Sequence, residues 1–217
     1  MLTYAQFCAL ARAAEVVGER WTLLVVRELL LGPRRFTDLR DSLSPIAPSV
    51  LTERLGALEA RGVIEHVAWP GPVPGKVYRL TADGEALRPA IHELTRWGSR
   101  YLFPARPSER FDPAWLRIVF EAYAAKRPTP LLSIAIYVDD GETPAAVVTG
   151  GPGGTQVLAV PIGPVSAALR GDPATILGIM SGKVGVAAAA AEGRLRMEGD
   201  TGAAGQIAAL FATDDRT

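Results

Sequence analysis

The chain has 217 residues, which is enough for one large domain or two small ones, since domains average roughly 150 residues. It contains 23 Lys and Arg against 23 Asp and Glu, with 48% hydrophobic and 21% charged residues. These values exclude a mainly disordered chain or a coiled rod. No apolar run approaches the roughly 18 residues that span a bilayer, and the first residues lack the pattern of a secretory signal. We therefore expect a cytoplasmic protein without a membrane partner.

Cysteine and histidine are scarce. Cys8 is the single cysteine, and His66 and His92 are the only histidines. One thiol cannot form an intramolecular disulfide, and this set is too small for a zinc site. The second half of the chain has no histidine and no paired carboxylates suited to acid–base chemistry. The sequence therefore predicts a protein that is not an enzyme and holds no metal or cofactor.

The two halves of the chain differ in amino-acid composition. Of 15 aromatic residues, 13 precede residue 130, whereas 14 of the 22 glycines follow it. Three prolines between residues 103 and 113 favour extended or turn backbone over a continuing helix. We predict one domain over residues 1–103 and a second over 104–217, with a linker at about 104–113.

The first domain shows a regular order of elements. Hydrophobic spacing predicts helices over 5–17, 21–31, 36–43 and 48–62, strands over 63–69 and 76–80, and a helix over 82–101 that Pro89 kinks. The fourth helix begins at Pro48 and ends at Gly62. Its inward stripe consists of Leu51, Leu55 and Leu58.

A short helix, a turn, a second helix and a hairpin form the plan of a winged helix-turn-helix. Four sequence blocks match one family of this type: GERWTLL (18–24), RELLLGPRRFTDL (27–39), VLTERLGALE (50–59) and YRLTADG (78–84). Over residues 5–102 the chain resembles the HxlR-type bacterial transcriptional regulators. The resemblance implies a homodimer that binds double-stranded DNA.

The fourth helix would then be the element that reads DNA. With its leucines inward, Ser49, Thr52, Glu53 and Gly56 lie on the opposite side, toward the major groove. The alternative is a solvated helix face without a partner. Arg54 lies near the flank of the leucine stripe, where it either reaches a phosphate or pairs with an acidic neighbour.

Further basic residues occupy positions where the family contacts phosphates, at the start of the third helix and in the hairpin. They are Arg34, Arg35, Lys76 and Arg79. We expect them to set the salt dependence of binding and not its sequence preference. Two residues depart from the family pattern: Ala47 replaces a capping serine, and Ser49 replaces a basic residue. Both departures predict a modest non-specific affinity for DNA.

Two features of the first and last helices of the first domain each have two interpretations. Cys8 matches a cysteine with which relatives sense oxidants or electrophiles, but Ala9 follows it where the family often has proline. Its other interpretation is a small buried hydrophobic residue. The aromatic residues of the first and last helices either form a seam between subunits or seal the core. They are Tyr4, Phe7, Trp97 and Tyr101.

The second domain has a mixed pattern. A helix is predicted over 112–123, a three-stranded meander over 131–138, 144–149 and 156–160, helices over 172–180 and 184–191, a strand over 194–198 and a helix over 201–211. The glycines between 150 and 154 are interpreted as a hairpin turn, because no Gly-Lys-Ser/Thr follows them. The fold class is therefore α+β for the whole chain.

Two blocks of the second domain, GDPATILGIMSGK (171–183) and GRLRMEGD (193–200), resemble sterol-carrier-protein-like domains, with similarity over about 130–212. The resemblance implies an apolar tunnel for a small molecule. The candidate pocket residues are Ile176, Leu177, Met180, Ile207 and Leu210. Alternatively these side chains fill the core completely, and the domain supports dimerisation.

The combined prediction is a dimeric transcriptional regulator. It consists of a winged helix-turn-helix domain followed by a small α+β sterol-carrier-like domain, which binds an apolar small molecule or supports the dimer. Two alternatives remain open. One is a redox or electrophile sensor that acts through Cys8. The other is a lipid carrier or interaction protein that does not bind DNA.

Overall fold

A computed structural model describes residues 3–69, 74–104, 106 and 108–212. The residues pack into two compact units, Met1–Ile91 and His92–Thr217. The tip of the predicted hairpin, residues 70–73, lies outside the described residues. The domain boundary expected at residue 103 stays a prediction. Within the described ranges, every helix is too short or too polar to cross a bilayer.

The N-terminal unit has the predicted order of elements. Its helices and strands are α1 (Ala9–Val17), α2 (Thr22–Leu30), α3 (Phe36–Ser42), α4 (Pro48–Ala60), β1 (Ile64–Trp69), β2 (Gly75–Leu80), α5 (Ala82–Glu85) and the start of α6 (Arg88–Gly98). β1 and β2 pair antiparallel, with Ile64 opposite Leu80 and Trp69 opposite Gly75. This is the helix-turn-helix with a two-stranded wing that the sequence predicts.

Two helix predictions for this unit are wrong in extent. The single kinked helix over 82–101 is divided into α5, α6 and a short 3-10 helix, Ser99–Tyr101. Pro89 cannot continue a helix from α5, because it lacks an N–H and its ring would clash with a carbonyl one turn earlier, but it fits the first turn of α6. The first helix begins at Ala9 instead of Ala5, because Ala5 has a left-handed φ of 50°.

The C-terminal unit consists of a sheet covered by helices. Its further elements are α7 (Trp115–Tyr123), β3 (Ser133–Val138), β4 (Ala146–Thr149), β5 (Gln156–Leu158), β6 (Ala167–Gly171), α8 (Pro173–Met180), α9 (Val186–Ala191), β7 (Leu195–Gly199), α10 (Thr201–Gly205) and a 3-10 helix, Ile207–Leu210. The five strands lie in the order β5-β4-β3-β6-β7. β3 and β6 are parallel, and the other pairs are antiparallel.

The predicted three-stranded meander is therefore an incomplete description of this sheet. β3, β4 and β5 form the meander, and the glycine-rich segment between β4 and β5 is the turn of a hairpin, as predicted. The prediction missed β6, whose sequence of alanine, leucine, arginine and glycine has little β propensity. Pairing with β3 on one side and β7 on the other places this weak strand inside the sheet and away from its edges.

The core of the C-terminal unit is continuous from the sheet to the helices. It includes Ile134 and Ile136 of β3, Leu169 of β6, and the rings of Phe120 and Phe211, whose centroids are 5.4 Å apart. These side chains are almost fully buried. At about 25 cal/mol per Å² of apolar surface removed from water, their burial is a major source of the unit's stability.

The start of α4 allows a direct test of helix capping. Ala47 occupies the N-cap with φ −69° and ψ 137°, and it provides no side-chain hydrogen bond. We expect Ala47→Ser to stabilise the N-terminal unit by about 1 kcal/mol, because a serine hydroxyl accepts from a free N–H of the first turn. Chemical denaturation measures the change. Ala57→Ser, at an exposed position inside α4, is the control and should not stabilise; equal effects of the two serines would contradict the capping argument.

Candidate nucleic-acid interface

The polar face of α4 is fixed by the leucines on the other side of the helix. Leu51, Leu55 and Leu58 are at most 1% exposed, so the helix cannot rotate about its axis without exposing them. The four predicted face residues are all exposed: Ser49, Thr52, Glu53 and Gly56. Their contact with DNA stays a prediction.

These four residues present different chemical groups. The Thr52 hydroxyl donates to the Pro48 carbonyl at 2.9 Å, so it keeps lone pairs and a methyl group for an external partner. The Ser49 hydroxyl forms no hydrogen bond within the described ranges and can both donate and accept. A Cβ at Gly56 would meet no atom within 4 Å, so this position leaves open space above the helix.

Arg54 is bound to acidic neighbours in the structure. Its Nη2 lies 3.1 Å from Glu53 Oε1, and its Nη1 lies 3.6 Å from Glu19 Oε2 in the turn between α1 and α2. The side chain is only 16% exposed. The structure thus shows the pairing with acidic neighbours, and a contact of Arg54 with a phosphate stays a prediction. Arg54 thus ties α4 to the preceding helices.

The two predicted phosphate contacts of the wing differ in their environment. Arg79 Nε lies 2.7 Å from Glu65 Oε1, on the directly opposite position of β1. Lys76 is exposed and forms no ion pair with any residue that the structure describes. The charge of Lys76 is therefore more available to a phosphate than that of Arg79.

Arg34 and Arg35 connect the wing to the start of α3. Arg34 exchanges two backbone hydrogen bonds with Tyr78 of β2, at 3.0 and 2.8 Å. Arg35 Nη1 donates to the Pro74 carbonyl at 3.4 Å, while its backbone N–H donates to Asp38 at 2.9 Å. Both arginines therefore position the wing, a role that the sequence prediction did not include.

Two further residues that the sequence analysis did not single out support the wing. The rings of His66 and Tyr78, opposite each other on β1 and β2, are stacked with centroids 4.1 Å apart. Burial, and then the negative charge of Glu59, raise the pKa of the Tyr78 phenol above its usual value, so this ring stays neutral. The signal available in the sequence was the pair of aromatic rings at matching positions of a predicted hairpin.

Cys8 lies at the N-cap of α1 and is exposed. The alternative of a small buried hydrophobic residue therefore does not describe this thiol within one chain. The role of Cys8 as a sensor stays a prediction.

The four aromatic residues near the first and last helices of the first domain are exposed as well. Tyr4 and Phe7 precede α1, and Trp97 and Tyr101 lie on α6 and the 3-10 helix after it, with ring centroids 5.2 Å apart. None of the four seals the core of the chain. Their contact with a second subunit stays a prediction.

The five candidate pocket residues all lie in the core of the C-terminal unit, where each is at most 9% exposed. Two cavities of this unit, of about 470 and 340 Å³, are lined by other residues. The apolar pocket therefore stays a prediction. Across the described ranges, no group of three or more His, Cys, Asp or Glu is arranged to hold a metal ion.

Comparison with known proteins gives two family matches. Residues 16–106 match the HxlR-like helix-turn-helix, and residues 127–212 match the SCP-2 sterol transfer family.

Two relatives support the first match. The HTH-type transcriptional regulator YvaP of Bacillus subtilis (strain 168) is 33% identical over 94 residues, 43% of this chain and 87% of that protein. MT3179 of Mycobacterium tuberculosis (strain CDC 1551 / Oshkosh) is 42% identical over 94 residues, 43% of this chain but only 59% of its own length. Among solved structures, reduced YodB from B. subtilis is 28% identical with a TM-score of 0.39, and the similarity covers 46% of this chain and all of YodB. The reduced redox regulator HypR is 26% identical with a TM-score of 0.40, and the similarity covers 43% of this chain and 92% of HypR.

The matched range 16–106 contains the helix-turn-helix and the wing, and the match to YvaP extends over most of that protein. The matched range 127–212 contains the five-stranded sheet together with α8, α9 and α10. The chain belongs to the HxlR-like helix-turn-helix family of transcriptional regulators and carries, after that domain, a domain of the SCP-2 sterol transfer family.

Proposed function

We propose that the protein is a homodimeric regulator that binds operator DNA in the cytoplasm through the polar face of α4. The observation that carries this proposal is the exposure of Ser49, Thr52, Glu53 and Gly56 on a helix anchored by buried leucines. The major groove is about 12 Å wide and admits one α-helix. The N-terminal residues of a recognition helix contact the base edges, and three of these four residues lie in the first half of α4.

The ion pairs of the N-terminal unit support a modest affinity for DNA of any sequence. Arg54 and Arg79 already pair with carboxylates, so they neutralise phosphates less effectively than unpaired cations would. Lys76 is the exposed phosphate contact of the wing, and Arg34 and Arg35 are further candidate contacts at the start of α3. A dimer doubles these contacts, and two half-sites about one turn, or 34 Å, apart give an operator its symmetry.

The salt dependence of binding tests the role of the wing. With a genomic fragment selected by the purified protein, we expect Lys76→Ala to reduce the slope of log K against log salt by about 0.9 per protomer, because one phosphate contact is lost. Fluorescence anisotropy measures the slope. Arg79→Ala is the matched control and should change it less, since Arg79 pairs with Glu65. An unchanged slope for Lys76→Ala would contradict the contact between the wing and a DNA phosphate.

For the C-terminal domain we propose an apolar small-molecule ligand that changes the spacing of the two α4 helices. The match to the SCP-2 sterol transfer family supports this role. Native mass spectrometry of the protein as purified tests it. A dimer that retains or takes up an amphiphile is the expected result; a bare dimer that takes up no amphiphile would favour a domain that supports the dimer only.

A thiol switch is the second candidate function, and the exposed position of Cys8 before α1 favours it. Since each chain has one cysteine, diamide would oxidise the Cys8 thiols of two protomers to one disulfide and take up their two protons and two electrons, and this bond would lie in the segment that also carries the exposed Phe7. If Cys8 senses oxidants, diamide will release DNA from the natural protein and not from Cys8→Ser. Equal release from both would exclude the thiol.

A further inference from the structure

A polar cavity lies at one end of the sheet in the C-terminal unit, apart from the apolar core. Its volume is about 470 Å³, within the range of small-molecule sites. The turn after β3, the end of β6, the residue before α8 and the start of β7 form its walls. The lining residues are Asp139, Asp140, Arg170, Gly171, Asp172, Gly193, Arg194 and Arg196.

Three arginines converge on this cavity from two neighbouring strands. Arg170 of β6 lies directly opposite Arg196 of β7, and Arg194 immediately precedes β7. Like charges at opposite positions of paired strands repel each other. A bound anion would relieve this repulsion.

Arg170 is held in place by neutral groups. Its guanidinium lies 4.3 Å above the ring of Tyr137 on β3, and its Nη1 donates to the carbonyls of Asp139 at 3.2 Å and Gly141 at 2.6 Å. Among the residues that the structure describes, no carboxylate forms an ion pair with it. The cation is thus oriented while its charge stays uncompensated by a direct partner, and Nη2 and Nε remain for a ligand.

Three carboxylates, those of Asp139, Asp140 and Asp172, line the cavity with the arginines, and that of Asp172 is engaged outside it. The two oxygens of Asp172 accept hydrogen bonds from Thr175, from its backbone N–H at 2.9 Å and its hydroxyl at 2.6 Å. Burial would raise the pKa of the Asp172 carboxyl, but these hydrogen bonds outweigh it and lower the pKa below its usual value. Asp140 pairs with Arg196, yet its side chain is 90% exposed, so this pair is weak.

We propose that this cavity is a binding site for a phosphate group, with Arg170 as its central ligand and Arg196 beside it, while Arg194 keeps its ion pair with Glu192 at the edge of the site. A guanidinium offers a planar fork of N–H donors that matches phosphate oxygens, and a fixed fork loses little conformational freedom on binding. The phosphate belongs either to a free small molecule or to the headgroup of a lipid whose chains lie outside the cavity. This site is distinct from the apolar pocket proposed above.

Titration of the full-length, 15N-labelled protein by NMR tests the proposal. The probes are inorganic phosphate and monomeric dihexanoyl phosphatidic acid, with sodium chloride at matched ionic strength as the reference. We expect saturable shifts of the amides of Gly171, Gly193 and Arg196, and a dissociation constant at least about tenfold weaker in Arg170→Gln, since a charge-assisted hydrogen bond is lost. Arg106→Gln removes the same charge at an exposed position paired with Glu109 and should bind as the natural protein does.

The two probes distinguish the sources of the phosphate. Equal saturation by both assigns the site to a free phosphate compound, and saturation by the lipid alone assigns it to a headgroup. Arg196→Gln is a second variant, at an exposed side chain that the fold does not require, and should also weaken binding several-fold. Shifts that rise linearly without saturation, or unchanged binding in both variants, would overturn the proposal. So would variants that lose affinity for operator DNA and keep their affinity for phosphate.

Discussion

Glu28→Ala is expected to lower the free energy of unfolding of the N-terminal unit by about 3–5 kcal/mol. Glu28 lies on α2 and is fully buried, and its Oε1 accepts from Arg27 Nε at 3.1 Å and Nη2 at 2.6 Å. The side chain of Arg27 is itself only 19% exposed. Removal of the carboxylate takes this counter-charge from a largely buried cation, which costs more than the loss of an exposed ion pair.

Urea denaturation followed by circular dichroism measures this loss. Glu65→Ala is the matched control, because it breaks an exposed ion pair with Arg79 on the wing and should cost only about 0.2–1 kcal/mol. The double variant Arg27→Met with Glu28→Leu should recover most of the stability, since apolar side chains of similar volume can replace a buried pair. Similar losses in Glu28→Ala and Glu65→Ala would contradict the account of a buried pair.

Phe7→Asp is expected to dissociate the proposed dimer and thereby to abolish tight operator binding. Phe7 is fully exposed in the chain, and Leu10 beside it on α1 is exposed too, an arrangement that is costly unless a partner covers it. Burial of one phenylalanine contributes about 1.5–3 kcal/mol, and a two-fold interface contains it twice. The dimer constant should therefore weaken by a factor of about 10²–10⁴.

Sedimentation velocity gives the dimer constant, and anisotropy with operator DNA gives the functional consequence. Leu131→Asp replaces another highly exposed apolar residue, in the C-terminal unit, and serves as the control. It should leave both values unchanged. Dimers of normal stability in Phe7→Asp would show that the subunits associate through another surface.

The segment that carries Phe7 is tied to α1 by a single carboxylate. Glu15 accepts hydrogen bonds from the Thr3 hydroxyl at 2.8 Å and from the Tyr4 backbone N–H at 2.9 Å. These bonds, with a smaller contribution from Arg12, lower the pKa of the Glu15 carboxyl. Tyr4 and Phe7 are therefore carried by a segment that is hydrogen-bonded to α1.

The sequence predicted the parts of the fold that depend on local spacing. The intervals between Leu51, Leu55 and Leu58 defined both α4 and its exposed face, because a helix places every third or fourth residue on one side. The order of the wing strands followed from two short β-rich runs around a proline–glycine segment. Both predictions required only residues close together in the chain.

Interactions between distant residues could not be predicted in the same way. The pairing of Arg54 with Glu19 depends on how α4 packs against the turn after α1, which no local pattern encodes. β6 is stabilised by its neighbours β3 and β7, while its own residues favour a strand only weakly. The position of Arg170 above Tyr137 follows from that same parallel pairing.

The most direct test of DNA binding through α4 is cleavage of the operator from a tethered iron–EDTA group. In a Cys8→Ser background, Gly56→Cys carries the reagent on the exposed face of α4, where a side chain meets no atom within 4 Å. We expect two cleavage centres about 34 Å apart along the duplex. Ala187→Cys, exposed on α9 of the C-terminal unit, should give neither. An intact operator with the reagent at position 56, under conditions in which the protein remains bound, would contradict the assignment of α4 as the element that contacts DNA.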